Sequence, residues 1–167
     1  PAGVTFASIG AGVMHSCALT TTGTVYCWGY NYDGKLGNGT TTDSNIPVAV
    51  TMPAGVTFTA LSVGQYHNCA LATTGAAYCW GRAFSGEIGN GSNSGFVMNA
   101  TAATMPAGVT FTSIDAASGY NCALTATGTV YCWGANSVGQ IGDGSTTDRL
   151  VPTAVTMPGG ATVRTIV

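Results

Sequence analysis

One hexapeptide sets the terms for this chain. PAGVTF begins at Pro1, Pro53 and Pro106, and a variant, PGGATV, begins at Pro158. The starts lie 52, 53 and 52 residues apart, so the 167 residues are three copies of one unit and the beginning of another. A repeated unit too small to bury its own apolar face must stack on its neighbours, which makes the period the strongest constraint on the fold. Each unit has an opening run (Val4–Ile9, Val56–Val63, Val109–Ile114), then a hairpin with two cysteines, then a glycine-rich turn. A final apolar stretch follows, at Ile46–Met52 and Val151–Met157. The alternation in VTFASI and VTFTAL, rich in β-branched and aromatic residues and bounded by Pro and Gly, predicts strands. No window carries a helical stripe of useful length. Four short strands in about fifty residues predict an all-β fold of β-propeller blades, each a four-stranded antiparallel sheet. The expected repeats are residues 1–52, 53–105 and 106–157, with 158–167 as the first strand of a fourth. Propellers close with about four to eight blades, so three repeats are expected to be part of a larger propeller or of an oligomer. The first residue is proline, with no charged-then-apolar leader after it, which points to a processed chain or an excerpt.

The hairpins read CALTTTGTVYCWG, CALATTGAAYCWG and CALTATGTVYCWG. If Cys17 faces Cys27, the loop is Thr21-Thr22-Gly23, a type I turn whose last residue takes positive φ and is therefore glycine. The same spacing puts Gly75 and Gly128 at that place in the other hairpins. Side chains alternate along a strand, so Cys17, Leu19, Val25 and Cys27 share one face and Ala18, Tyr26 and Trp28 the other. Both faces are apolar, as in a hairpin sandwiched between neighbours. Three readings of the sulfurs are open here. Directly opposed residues lie close enough for the disulfides Cys17–Cys27, Cys69–Cys79 and Cys122–Cys132, each closing a ring worth up to about 3 kcal/mol. His15 with Cys17 and Cys27, or His67 with Cys69 and Cys79, could instead hold a metal. Against this, Tyr120 replaces the histidine in the third unit, and the spacing is not that of a zinc knuckle. Buried free thiols are the remaining reading. No C-x-x-C supports redox catalysis.

Charge excludes some partners. Four Lys+Arg against six Asp+Glu give a formal net charge of −2, without the basic stripe that neutralising several phosphates needs. No nucleic-acid partner is expected. No apolar run reaches the length of a membrane-spanning helix, so no membrane insertion is expected either. Cysteines confined to hairpins and a Thr-, Gly-, Ala- and Asn-rich composition fit a secreted or cell-surface protein.

The succession AGVMHSCALTTTGTVYCWGYNYDGKLGNG, a turn, and IPVAV resembles the repeat of the regulator of chromosome condensation family. The shared features are Gly-x-x-His before the Ala-Leu, the glycine of the hairpin turn, aromatic-x-Trp-Gly, and a Gly-x-Leu-Gly-x-Gly segment. Those last glycines are Gly34, Gly37 and Gly39, then Gly86, Gly89 and Gly91, then Gly139, Gly142 and Gly144. The resemblance covers essentially the whole chain and implies a propeller, seven-bladed in the best-known members. Members include a nuclear guanine-nucleotide exchange factor, domains of large ubiquitin ligases, a plant ultraviolet photoreceptor and a secreted bacterial inhibitor of β-lactamases. Paired cysteines and the missing basic segment set this chain apart from the nuclear branch. In style it is closest to the bacterial extracellular members, which bind proteins at their loops.

Candidate sites follow from what recurs and what varies. Trp28, Trp80 and Trp133 recur at one motif place and are expected to pack the core. His15 and His67 have no recurring nucleophile or carboxylate for triad chemistry and are expected to be structural, as in the family. NYDGKLGNG lacks the acids of a calcium loop. No catalytic residue, metal or cofactor is therefore expected. Asn38, Asn90 and Asn99 begin glycosylation triplets, which matter only in a host that uses them. The positions that differ between units are loop positions where recognition is written: Met14, Tyr30, Tyr32, Tyr66, Arg82, Phe84 and Tyr120, with Phe96 brought into a loop by an Asn93–Met98 insertion. These are types enriched at interface hot spots. The expected function is a non-catalytic extracellular protein-binding or assembly scaffold whose partner the sequence does not name. The alternatives are a structural protein self-associating through open blade ends, and a secreted enzyme inhibitor. Nucleotide exchange ranks below these.

Overall fold

The computed structural model describes residues 2–167; Pro1, which opens the first repeat, lies outside them. The first sheet holds β1 (Phe6–Ala11), β2 (His15–Thr20), β3 (Val25–Gly29) and β4 (Ser44–Ala49). The second holds β5 (Phe58–Val63), β6 (His67–Ala72), β7 (Ala77–Arg82) and β8 (Phe96–Ala102). In the third are β9 (Phe111–Ala116), β10 (Tyr120–Thr125), β11 (Val130–Gly134) and β12 (Arg149–Ala154). Each sheet is a meander in which neighbours in sequence are neighbours in space, so each repeat is one antiparallel propeller blade. Among the described residues no helix is long and apolar enough to cross a membrane.

The hairpin register is set by its turn. Gly23, Gly75 and Gly128 have φ of 85°, 79° and 83°. Gly23 N donates to Thr20 O at 3.1 Å, and Thr20 N to Thr24 O at 2.8 Å. This closes the type I turn with its left-handed last residue. Cys17 then faces Cys27, Cys69 faces Cys79 and Cys122 faces Cys132, and each pair is joined by a disulfide. The sulfurs that a metal site needs are bonded to one another.

Blades stack by placing the disulfide face of one against the tryptophan face of the next. Cys17, Leu19, Val25, Cys27, Leu36 and Val50 of blade 1 bury Phe58, Ala70 and Trp80 of blade 2. Blade 2 repeats the arrangement on blade 3 around Ile88, Phe111 and Trp133. Most polar groups in the seam find partners, as burial requires, His67 Nδ1 being an exception. Trp80 Nε1 and Asn68 Nδ2 both donate to the Lys35 carbonyl, at 3.0 and 2.8 Å. Trp133 Nε1 and Asn121 Nδ2 both donate to the Glu87 carbonyl, at 3.1 and 2.7 Å. The hairpin glycines are also docking points. Phe58 N donates to Gly23 O and Phe111 N to Gly75 O, and a Cβ on Gly23 would lie 2.8 Å from Phe58 O. Trp28 has no described blade before it. It stays half-buried and lines an apolar recess of about 270 Å³ with Phe6, Ile9, Ala18 and Pro47.

Three expectations need correction. Residues 158–167 form no strand: Pro158–Gly160 is a 3₁₀ turn and the rest is irregular. Val163 N does donate to Gly128 O, as Phe58 and Phe111 do in their blades, so the segment lies where a first strand begins. A strand also needs a ladder partner, which β6 and β10 supply to β5 and β9 and nothing in the described residues supplies here. Phe96 is not in a loop. It opens β8 and pairs with Arg82, because β7 runs one residue past its tryptophan-following glycine whereas β3 and β11 end at theirs. Finally, the outer strands end earlier than the apolar pattern suggests. Beyond Ala49 and Ala154, Thr51 N and Thr156 N donate to Gly37 O and Gly142 O, which turns the chain toward the glycine-rich segment.

Candidate functional site

The segments that follow each Trp-Gly share one architecture in blades 1 and 3. Asn31, fully buried, accepts from Leu36 N at 2.8 Å and donates to the carbonyls of Thr40 and Thr42 at 2.9 and 3.0 Å. Asn136 does the same with Ile141 N, Ser145 O and Thr147 O. One side chain thus satisfies several backbone groups that a loop leaves without ladder partners. Blade 2 has Ala83 there, whose N donates to Gly95 O. Its loop is therefore shaped by its longer β7–β8 pairing, which holds Phe84 half exposed, at 50%.

On this frame the variable side chains of blades 1 and 2 meet at one rim. Tyr30 and Tyr32 stack at 6.4 Å between ring centroids. Tyr32 meets Phe96 edge-on at 5.7 Å, and Phe96 meets Phe84 at 5.4 Å. The Arg82 guanidinium lies 5.5 Å from the Phe84 ring and 5.3 Å from that of Tyr66. The Lys35 ammonium lies 5.7 Å from Tyr66 and 4.8 Å from Tyr30. Tyr30, Tyr32, Phe96, Phe84, Arg82, Tyr66 and Lys35 so form a closed circuit of aromatic and cation–π contacts. Tyr32 remains 63% exposed. Met14 joins through its backbone, accepting from Tyr30 N, and holds a left-handed φ of 62° with its side chain largely in solvent. Tyr120 stands apart from the circuit, on the far wall of a cleft that Tyr66 and Arg82 also line.

Each cation has an acid on its own blade. Lys35 is 2% exposed and its Nζ lies 3.4 Å from Asp33 Oδ2. Arg82 Nε lies 3.8 Å from Glu87 Oε1, beyond hydrogen-bond reach, and has no hydrogen-bond partner. Glu87 accepts from Ser85 N at 2.7 Å, and burial pushes its carboxyl above the usual range. The sequence reading missed Lys35, Glu87 and Asn31. Two charges in matching Gly-Lys-Leu-Gly and Gly-Glu-Ile-Gly segments of so uncharged a chain were the available signal.

The histidines lie in the seams beneath the rim. His15 Nε2 donates to Asn68 Oδ1 at 2.9 Å and His67 Nε2 to Asn121 Oδ1 at 2.7 Å. Burial lowers both below the ordinary histidine value, His67 to about 4. Of the glycosylation triplets, Asn38 Oδ1 accepts from Thr40 N and Oγ1, and Asn90 Oδ1 accepts from Ser92 N. Asn99 lies within β8.

Comparison with known proteins agrees with this architecture. The regulator of chromosome condensation (RCC1) repeat matches residues 22–71 and 127–167 in one form and 6–35, 58–87 and 111–140 in another. The ultraviolet-B receptor UVR8 of Arabidopsis thaliana is 30% identical over 156 residues, 93% of this chain and 35% of that protein. The human probable E3 ubiquitin-protein ligase HERC4 is 32% identical over 149 residues, 88% of this chain and 14% of that protein. The chain therefore spans about a third or less of these relatives. Among solved structures, Prp20p of Saccharomyces cerevisiae, studied with its binding to Gsp1p and histones, superposes with a TM-score of 0.80. It is 24% identical, the match covering 93% of this chain and 39% of that one.

Proposed function

Because this chain belongs to the regulator of chromosome condensation repeat family, we propose that it is a non-catalytic, extracellular protein-binding scaffold that docks its partner on the rim of blades 1 and 2. The observation that carries this reading is the circuit itself. Tyr30, Tyr32, Tyr66, Arg82, Phe84 and Phe96 gather in one patch, at motif places where blade 3 has Ala135, Ser137 and Gly119. Aromatic and arginine side chains on a rigid support are the usual anchors of protein interfaces. The features that recur serve the fold: cysteines in disulfides, tryptophans and asparagines on seam carbonyls, histidines on asparagines. Three disulfides in so short a chain suit an oxidising compartment, hence a secreted or cell-surface place. Prp20p, which shares the fold, has been studied for its binding to Gsp1p and histones, and protein binding on such a propeller is consistent with this reading.

Photo-crosslinking tests the reading. A benzophenone side chain placed at Tyr32 or at Phe84 in the producing organism is expected to capture one and the same protein. The same group at Ile46, exposed on outer strand β4, is expected to capture none of it. Equal capture at all three places, or none at the rim, contradicts rim docking.

A further inference from the structure

Two clefts between blades open on this rim, and one matched position contributes a ring to the first and no side chain to the second. Three residues before its first cysteine, blade 2 has Tyr66 and blade 3 has Gly119. The turns are built alike: the Tyr66 carbonyl accepts from Arg82 N, and the Gly119 carbonyl from Ala135 N. In the cleft between blades 1 and 2 the Tyr66 ring lies over Lys35 of the preceding blade, its centroid 5.7 Å from the ammonium. In the cleft between blades 2 and 3, position 119 supplies no ring, and Tyr66 and Tyr120 stand at its walls. A cavity of about 250 Å³ remains, lined by Tyr66, Arg82, Glu87, Tyr120 and Ala135 among others.

Nothing in the backbone demands glycine at 119. Its φ lies outside the left-handed region, and a Cβ there would touch only Ala135 Cβ, at an ordinary 3.7 Å. By contrast, a Cβ on Gly134 would lie 2.5 Å from the Gly119 carbonyl oxygen, on a φ of 111°. The wall of the cavity carries a cation, Arg82, whose guanidinium lies 5.3 Å from the Tyr66 ring and 5.5 Å from the Phe84 ring. The Arg82 side chain is 41% exposed, and its Nε is buried without an acceptor.

We propose that this cleft is a socket for an aromatic side chain of a protein partner, which lies against Arg82 much as Tyr66 lies against Lys35. The inference rests on the rim-docking reading and states what the partner presents there. A guanidinium attracts a ring face, and a ring entering the cleft buries more surface than any other side chain of comparable flexibility. A carboxylate is the poorer occupant. Glu87, only 2% exposed, already places an acid on the same wall, and a second would add like-charge repulsion at low dielectric.

Amide probes test the socket on the intact chain by NMR. N-acetyl-tyrosinamide is expected to shift the Gly119 and Ala135 amides and the Arg82 Nε–H, with Kd on the order of 10 mM for so small a ligand. N-acetyl-leucinamide should bind about fivefold more weakly or worse. Gly119→Tyr, which supplies the ring in cis, should abolish the shifts, whereas Gly119→Ala should keep them. Arg82→Leu should weaken tyrosinamide binding by about fivefold even if Gly119→Tyr proves unable to fold. Equal binding of the two amides, no shift at these groups, or undiminished binding by Arg82→Leu overturns the proposal. Phage-displayed random peptides separate it from rim docking in general. Captured peptides enriched in aromatic residues and lost on Gly119→Tyr support the socket. Peptides captured equally well by that variant overturn it while leaving the rim as the docking surface.

Discussion

Replacing Trp80 with alanine is expected to lower folding stability by about 4 kcal/mol, a large share of the roughly 5–15 kcal/mol that domains possess. In a protein of these 167 residues alone, the same change at Trp28 should cost less than half as much. Trp80 is fully buried, stacks on Phe58 at 6.5 Å and donates to the Lys35 carbonyl at 3.0 Å. Gly37 packs so closely on the indole that a Cβ there would lie 2.7 Å from its ring, so little can move in to fill the void. After truncation the Lys35 carbonyl keeps Asn68 Nδ2 as donor, and the loss is mainly of packing. Trp28 has the same place in its blade but only a half-open recess to fill. Urea unfolding with a common slope measures both. Equal losses at the two tryptophans would contradict the seam as the source of stability.

Acid is expected to weaken the fold through His67 well before the carboxylates are neutralised. Burial is the main reason its value falls to about 4, with the charges of His15 and Arg82 adding to it and the bond to Asn121 opposing. Above the unfolded value of 6.5 both states hold neutral histidine, and its contribution to stability is complete. As pH falls from 6.5 toward 4, the unfolded chain takes up the proton first. Stability then declines by about 3 kcal/mol and levels off below the folded value. His15 adds a loss of the same sign, since burial lowers it too. Glu87 works the other way: its raised carboxyl favours the folded state on acidification. The clean comparison is therefore with His67→Gln, whose amide can donate to Asn121 Oδ1 without titrating. That variant should lose more than half of the slope between pH 6.5 and 4; an unchanged slope would remove His67 from the account.

Much of the blade was legible because its determinants are local. The hairpin register needs only the ten-residue cysteine spacing, a glycine able to take positive φ, and alternation; the pairing of Leu19 with Val25 and Ala18 with Tyr26 follows. What escaped was decided between segments about fifty residues apart. Asn68 and Asn121 bridge the blades, but Ser16 in the first unit breaks the pattern. Lys35 and Glu87 share a seam role that belongs to their carbonyls, so their unlike side chains conceal it. Phe96 was misplaced because an insertion looks like a loop until its pairing with Arg82 is seen. Thr162–Val167 has the letters of a strand, yet strand formation requires a neighbour that those letters cannot supply. At the rim, variation between repeats marked out Tyr30, Tyr32 and Phe84. Only the stacking of blade on blade brings Tyr66 over Lys35 and Tyr32 against Phe96.

Sheets closed covalently across each hairpin hold the rim on a rigid support. Intact-mass spectrometry of the native protein without reductant, followed by peptide mapping, tests this most directly. The expected mass is six hydrogens below the fully reduced formula, with Cys17 linked to Cys27, Cys69 to Cys79 and Cys122 to Cys132. A mass equal to the reduced formula, with six thiols reacting once the chain is unfolded, would contradict it.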